Sequence, residues 1–154
     1  MVNKTKWLTG DELEAWRNFS LMQMQFFALA ASKLAAGGLS YQDYGILAGL
    51  SDREDRTARL TELAESMGWE KSRMSHQISR MQQRGLVTKS RCPTDKRGWF
   101  VTMTDAGFTA IVAAAPDHVA VVRRYFIDLL TPAQLRTLNA ISTNVLDNLQ
   151  TDCS

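Results

Sequence analysis

The stretch Lys71-Ser72-Arg73-Met74-Ser75-His76-Gln77-Ile78-Ser79-Arg80-Met81-Gln82-Gln83-Arg84-Gly85-Leu86-Val87-Thr88-Lys89-Ser90-Arg91 decides the fold. Met74, Ile78 and Met81 recur at i, i+4 and i+7, the spacing of one buried helical stripe. The other residues of that run are polar, so the spacing predicts a one-sided helix from about Lys71 to Gln83. Gly85 follows at the C′ position, where a positive φ is wanted. Leu86 to Arg91 has strand composition, Cys92-Pro93-Thr94-Asp95-Lys96-Arg97-Gly98 is turn chemistry, and Trp99 to Met103 is a second strand. Upstream, Thr61 is read as the cap of a helix ending near Met67. Ala64 and Gly68 supply small residues where two helices cross, with Leu63, Met67 and Trp69 as apolar neighbours. Two short helices, a glycine turn and a two-stranded ribbon make a winged helix-turn-helix. The expected fold class is mainly α with a small β-hairpin wing (α+β), the winged helix-turn-helix being joined to a second, helical lobe.

The flanks are helical. Thr9-Gly10-Asp11-Glu12 is a capping box between Leu8 and Leu13, and Gly37-Gly38 stops the helix it starts at about Ala36. Leu13, Trp16, Ser20, Gln23 or Met24, Phe27, Ala31 and Leu34 follow one stripe of it; Phe19, Met22, Phe26 and Ala30 add a second. A helix apolar on two faces must be covered twice, once by its own domain and once by something else. Ser40 and Asp43 start a second helix as a capping box, with Tyr44, Leu47 and Leu50 facing inward. Ser51 to Arg56 reads as a loop and Thr57 to Leu60 as a short extended piece. Thr104 caps a fifth helix carrying Phe108, Ile111, Val112, Val119, Val122 and Phe126, with a kink or break expected at Pro116. Thr131-Pro132-Ala133-Gln134 opens a last helix striped by Leu135, Leu138, Ile141 or Ser142, Val145 and Leu149.

The 154 residues suit one domain, and 45% hydrophobic with 22% charged residues argues against disorder. No uninterrupted apolar run exceeds the length of Phe26 to Ala31, far short of a membrane span, and no signal-peptide pattern is expected at the start of the chain. Cys92 and Cys153 form no disulfide framework or metal spacing, and His76 and His118 add little, so neither metal nor cofactor is expected. A cytoplasmic location is expected. The net charge of +2 hides an asymmetry. From Lys71 to Arg97 eight basic residues stand against one acid, Asp95, a local +7; the ten basic and fifteen acidic residues elsewhere leave −5. Widened to Leu60–Asp105, the block still carries +3. A local basic block is the footprint of phosphate contact, although a solvated surface can carry one too.

The predicted second helix of the pair would lay its exposed face in the major groove of DNA. Lys71, Ser72, Arg73, Ser75, His76, Ser79 and Arg80 are the candidate contacts there, an arginine being able to grip guanine O6 and N7. Lys89 and Arg91 continue the basic surface, and Lys96 and Arg97 at the hairpin tip suit the adjacent minor groove. Glu70 stands where a Ser or Thr cap is common. Gln77 takes a position often apolar in helix-turn-helix sequences, with Ile78 read as compensating. An enzyme reading finds no Gly-rich phosphate loop, Cys/His cluster or nucleophile elbow. The remaining rivals are an architectural DNA-binding protein, a regulator without an effector, and a redox-responsive one using Cys92 beside Arg91.

These motifs resemble the MarR family of winged helix-turn-helix transcriptional regulators over nearly the whole chain. The hairpin carries the Asp-x-Arg signature as Asp95-Lys96-Arg97, followed by Val101-Thr102-Met103-Thr104-Asp105-Ala106-Gly107. Trp69 to His76, Arg80-Met81, Arg84-Gly85-Leu86-Val87, Cys92-Pro93-Thr94-Asp95 and Ala115-Pro116-Asp117-His118-Val119 resemble an actinobacterial branch. The resemblance implies a single domain over 1–154, with dimerisation helices at about 8–36 and 104–150. The winged helix-turn-helix would span about 40–103, with the recognition helix at about 71–84 and the wing at about 86–103. It also implies a homodimer on a pseudo-palindromic operator, usually a repressor, with Arg97 in the minor groove and Asp95 orienting it. A small aromatic or amphipathic effector is implied too, near Trp16, Phe19, Ser20, Gln23, Tyr44, Leu47, Ile111, Ala115 and His118.

Overall fold

The computed structural model describes residues 5–92 and 98–151, with the side chains of 150 and 151 left aside. The chain divides into two compact units, one ending at Asp117 and one beginning at His118. In the first, α1 (Gly10–Ala36), α2 (Tyr41–Ser51), β1 (Thr57–Arg59), α3 (Leu60–Ser66), α4 (Lys71–Gln83), β2 (Val87–Arg91) and β3 (Trp99–Met103) follow in order. Helix α5 (Asp105–Tyr125) begins in that unit and ends in the other, where a 3-10 turn (Ile127–Leu129) and α6 (Pro132–Thr151) complete the chain.

The caps form as their residues dictate. The Thr9 backbone N–H donates to Glu12 at 2.8 Å. Ser40 N–H donates to the Asp43 carboxylate and Asp43 N–H to Ser40 Oγ, both at 3.0 Å. Thr131 N–H donates to Gln134 Oε1 at 2.8 Å at the head of α6. Gly68 and Gly85, at the two joints of the helix-turn-helix, have φ of +62° and +72°, a region open to glycine at no steric cost. The third helix starts two residues earlier than expected, at Leu60 with Arg59 in place of Thr61 as its cap, because Arg59 is still extended as the last residue of β1. Glu62 rather than Thr61 serves that terminus, accepting from Arg59 N–H at 3.4 Å.

The ribbon gains a third strand. β1 pairs antiparallel with β3, giving the order β1-β3-β2 and burying Ala58 opposite Val101. The core packs α2, α3, α4 and this sheet around Ile46, Leu47, Leu50, Leu60, Met74, Ile78, Met81, Val87 and Val101. Ile111, near the start of α5, joins it. Thr104 clamps that start: its hydroxyl donates to Gly85 O at 2.6 Å and accepts from Gly107 N–H at 3.0 Å. Pro116 does not break α5, which is continuous from Asp105 to Tyr125. One missing N–H in a long helix is outweighed by the bonds propagated on either side.

The long helices leave much apolar surface exposed. Trp16, Phe19, Leu21, Met22 and Met24 on α1 are exposed, as are Ile141, Val145, Leu146 and Leu149 on α6. Among the described residues, Asp105–Leu129 is long and apolar enough, by length and composition alone, to cross a membrane. No unbroken apolar run marks it in the sequence, because Pro116, Asp117 and His118 interrupt it.

Candidate nucleic-acid interface

Helix α4 is amphipathic in the strict sense. Met74, Ile78 and Met81 are fully buried, which turns Lys71, Ser72, Arg73, His76, Ser79 and Arg80 outward along the opposite side. Ser75 is half-buried, at the border of the two faces. Glu70 occupies the N-cap without a side-chain cap bond, so the first N–H groups of α4 have no acceptor from that residue. Arg73 folds over the Trp69 ring at 4.0 Å, so the turn before the helix restrains the cation at its first exposed turn.

The wing stands beside this face. The β2–β3 register sets Arg91 directly opposite Trp99 and places Lys89 one pair further along the same face. Both cations lie over the Trp99 ring, Lys89 Nζ at 4.4 Å and the Arg91 guanidinium at 4.7 Å. Lys89 Nζ also donates to Ser75 Oγ at 3.4 Å, linking strand to helix. Trp99 therefore organises two of the expected contacts, a role that its strand composition alone did not disclose. Asp95, Lys96 and Arg97, expected at the hairpin tip, lie outside the described residues, as does Cys153.

A polar network behind α4 is the main feature that sequence reading missed. Asp43 is 1% exposed and Gln77 7% exposed, both in the packing between α2 and α4. Gln77 Nε2 donates to Asp43 Oδ1 at 2.6 Å, and Arg84 Nη1 donates to Asp43 Oδ2 at 2.6 Å. Arg80 in turn donates to Gln77 Oε1, and Arg84 to the Gly38 carbonyl. Ile78 therefore does not stand in for an apolar residue at 77; both positions are buried, and Gln77 is there as a hydrogen-bonding residue. Burial pushes the Asp43 carboxyl up, but the Ser40 N–H, the Arg84 guanidinium and the Ser40 hydroxyl together hold it below the usual carboxylate value. The network borders a cleft of about 410 Å³ lined by Ser40, Gln42, Asp43, Trp69, Arg73, Gln77, Arg80 and Arg84. Two signals for it stood in the sequence: a carboxylate at the third position of α2 and a glutamine on the buried side of α4.

The residues expected around an effector are distributed as follows. Trp16, Phe19 and Gln23 are exposed on α1, with the Trp16 and Phe19 rings 6.0 Å apart, and Ser20 is half-buried. Leu47 and Ile111 are core residues, and Tyr44 and Ala115 are half-buried. His118 is half-buried, and burial lowers its pKa, which keeps the ring neutral at pH 7. Cys92 is 5% exposed, with Arg59 Nη2 at 4.0 Å from its sulfur, so oxidants in solution have little access to it.

The comparisons agree with this geometry. The MarR family model matches residues 37–98, the segment from the end of α1 to the wing. AbsC, a MarR family transcriptional regulator from Streptomyces coelicolor, superposes with a TM-score of 0.91 at 38% identity, over 96% of this chain and 99% of its own. Sco3205 from the same organism, a MarR family regulator solved in complex with DNA, gives 0.91 at 34% identity, over 96% of this chain and 93% of its own. CouR from Rhodococcus jostii RHA1, solved with p-coumaroyl-CoA, shares the fold at 19% identity, with a TM-score of 0.73 over 82% of this chain and 87% of its own. A search of curated proteins found no match. On the similarity to AbsC and Sco3205 along almost their whole lengths, this chain belongs to the MarR family of transcriptional regulators.

Proposed function

We propose that the chain acts as a homodimeric, sequence-specific regulator on double-stranded DNA, in the cytoplasm, and represses until a small aromatic or amphipathic effector releases it. One observation carries this reading. The buried stripe of α4 leaves Lys71, Arg73, His76 and Arg80 on one exposed face, with the wing cations Lys89 and Arg91 tied to that face through Ser75 and Trp99. A helix of this kind fits the major groove, and a neighbouring basic ribbon suits the backbone or minor groove. The similarity to Sco3205, which was solved on DNA, supports it. Within this reading the winged helix-turn-helix occupies about 40–103, and Lys96 and Arg97 extend it at the wing tip, with Asp95 orienting Arg97.

One argument supports the dimer. Helices α1 and α6 expose large apolar side chains that water disfavours, and a second copy of the same chain is the simplest cover. An operator with two-fold symmetry would then present half-sites about 34–36 Å apart, one for each α4. An effector needs only to prefer the dimer whose α4 helices are wrongly spaced. The exposed rings of Trp16 and Phe19 make α1 the natural place for an aromatic ligand, and the shared fold with CouR supports that class. The arrangement is that of a binding protein, with no part assigned to catalysis.

An electrophoretic mobility shift with the chain's own upstream region tests the proposal. A discrete complex that survives excess competitor DNA is expected. Smearing that competitor abolishes would leave only an architectural role. A thermal-shift panel of phenolic acids and their thioesters then tests the effector: a compound that raises the melting temperature should also dissolve the discrete complex.

A further inference from the structure

The network behind α4 has a direction. An ionised carboxylate only accepts hydrogen bonds, so Asp43 obliges Gln77 to present its amide nitrogen, and the amide oxygen is turned the opposite way. That oxygen receives Arg80. Asp43 in turn is held by the α2 cap at Ser40 and by Arg84, the C-cap of α4, four positions beyond Arg80. The polarity of a buried acid is thus passed through an amide to an exposed arginine on the proposed reading face.

Packing alone does not call for this arrangement. A well-fitted apolar pair at 43 and 77 would join α2 to α4 at least as firmly, since buried charge must first be taken out of water. Apolar contacts, however, tolerate sliding and rotation, whereas a chain of directional bonds holds one orientation. Arg80 keeps further N–H groups beyond those facing Gln77 for another acceptor, since a guanidinium carries five donors in a rigid fork. A side chain already held in place loses less freedom on binding, and it discriminates better because it cannot swing to a wrong base.

We propose that Asp43 and Gln77 are positioning residues for DNA reading: through their linked hydrogen bonds they set the direction in which Arg80 leaves α4, and so govern sequence discrimination rather than affinity for DNA in general. This rests on the DNA-binding function proposed for the chain, and its test separates the two.

A pool of randomised duplexes is enriched on the wild-type chain. The most enriched duplex and poly(dI-dC) then serve as specific and non-specific probes for the purified full-length variants. Gln77→Leu keeps the net charge and most of the volume. It should lower the specific-to-non-specific affinity ratio by about tenfold, the scale of one misdirected base contact, with little change on poly(dI-dC). Arg80→Ala should lower the ratio similarly, and the double variant should be no worse than Arg80→Ala alone. Gln82→Leu, at an exposed position of the same helix, serves as the control and should leave the ratio unchanged. A purely structural role for Gln77 would lower the melting temperature but preserve the ratio below it, and that result overturns the proposal. Additive losses in the double variant overturn it as well.

If Gln77→Leu does not fold, Asp43→Asn takes its place. It retains an oxygen for Ser40 N–H but loses the charge that aligns Gln77 and Arg84. A reduced ratio is again expected, and an unchanged ratio refutes the positioning role. If the wild-type chain enriches no duplex at all, the DNA-binding function itself fails and the inference falls with it.

Discussion

Arg73 and Asp43 carry charge to opposite ends. Arg73 is exposed, rests on Trp69 and faces outward. Arg73→Ala should relax sequence preference and cost ~1–3 kcal/mol of specific binding, as expected for one base contact. An unchanged footprint and affinity would remove it from the reading face. Arg97 is proposed as a DNA contact from the sequence, and if it contacts the backbone, Arg97→Ala should reduce the slope of log affinity against log salt by about one unit. Titrations over a range of salt would read this directly. Asp43 affects stability. Its folded-state pKa lies below the ordinary 3.8, so the ionised form favours the fold at any pH above that value. The contribution disappears as pH falls through the lower, folded-state value. Asp43→Asn should therefore cost roughly 1–3 kcal/mol at neutral pH, and the gap to wild type should narrow in acid. Urea unfolding at several pH values checks it, and a gap independent of pH would contradict an origin in the ionised carboxylate. Arg73 was legible as a contact from its place in the polar run. Asp43 was legible only as a cap, because its second duty depends on Gln77 and Arg84, 34 and 41 positions away.

At the scale of elements, local chemistry set most boundaries. The buried stripe, the glycines at 68 and 85 and the paired caps placed α2, α4 and both wing strands correctly. Thr57 to Leu60 was legible as an extended piece, but not its place in the sheet, because three residues carry no periodic signal and their pairing partner, β3, lies more than 40 positions on. The start of α5 shows how tightly these elements lock. Gly107 lies against the Leu86 carbonyl, and a Cβ there would be driven into that oxygen and crowd the Met103 side chain. Gly107→Ala should therefore destabilise by about 1–3 kcal/mol through forced displacement of backbone. Thermal unfolding compared with Gly49→Ala, where an added Cβ meets nothing within 4 Å, isolates this from helix propensity. Equal effects at the two glycines would refute the clash. Pro116 taught the opposite lesson: a strong local breaker was overridden by helix on both sides.

Across the whole molecule, charge and apolar surface divide the work. The basic block lies in the stretch that forms α4 and the wing, while the rest of the chain is net acidic. In a dimer two such blocks would address one strip of duplex, and the acidic remainder would limit adhesion elsewhere. The exposed stripe of α6 predicts that truncation after Leu130 abolishes the dimer. Sedimentation of the truncated chain as a monomer is expected; a dimer would refute the part assigned to α6. The winged helix-turn-helix and its cationic face were readable from the sequence by itself, because helical period, caps and turn glycines are short-range and act within a few residues. Only the tertiary structure decided that Asp43 and Gln77 share a hydrogen-bond chain to Arg80, that Trp99 gathers Lys89 and Arg91, and that β1 completes the sheet. Those depend on which distant residues are brought together when the core closes, and no spacing along the chain encodes that directly.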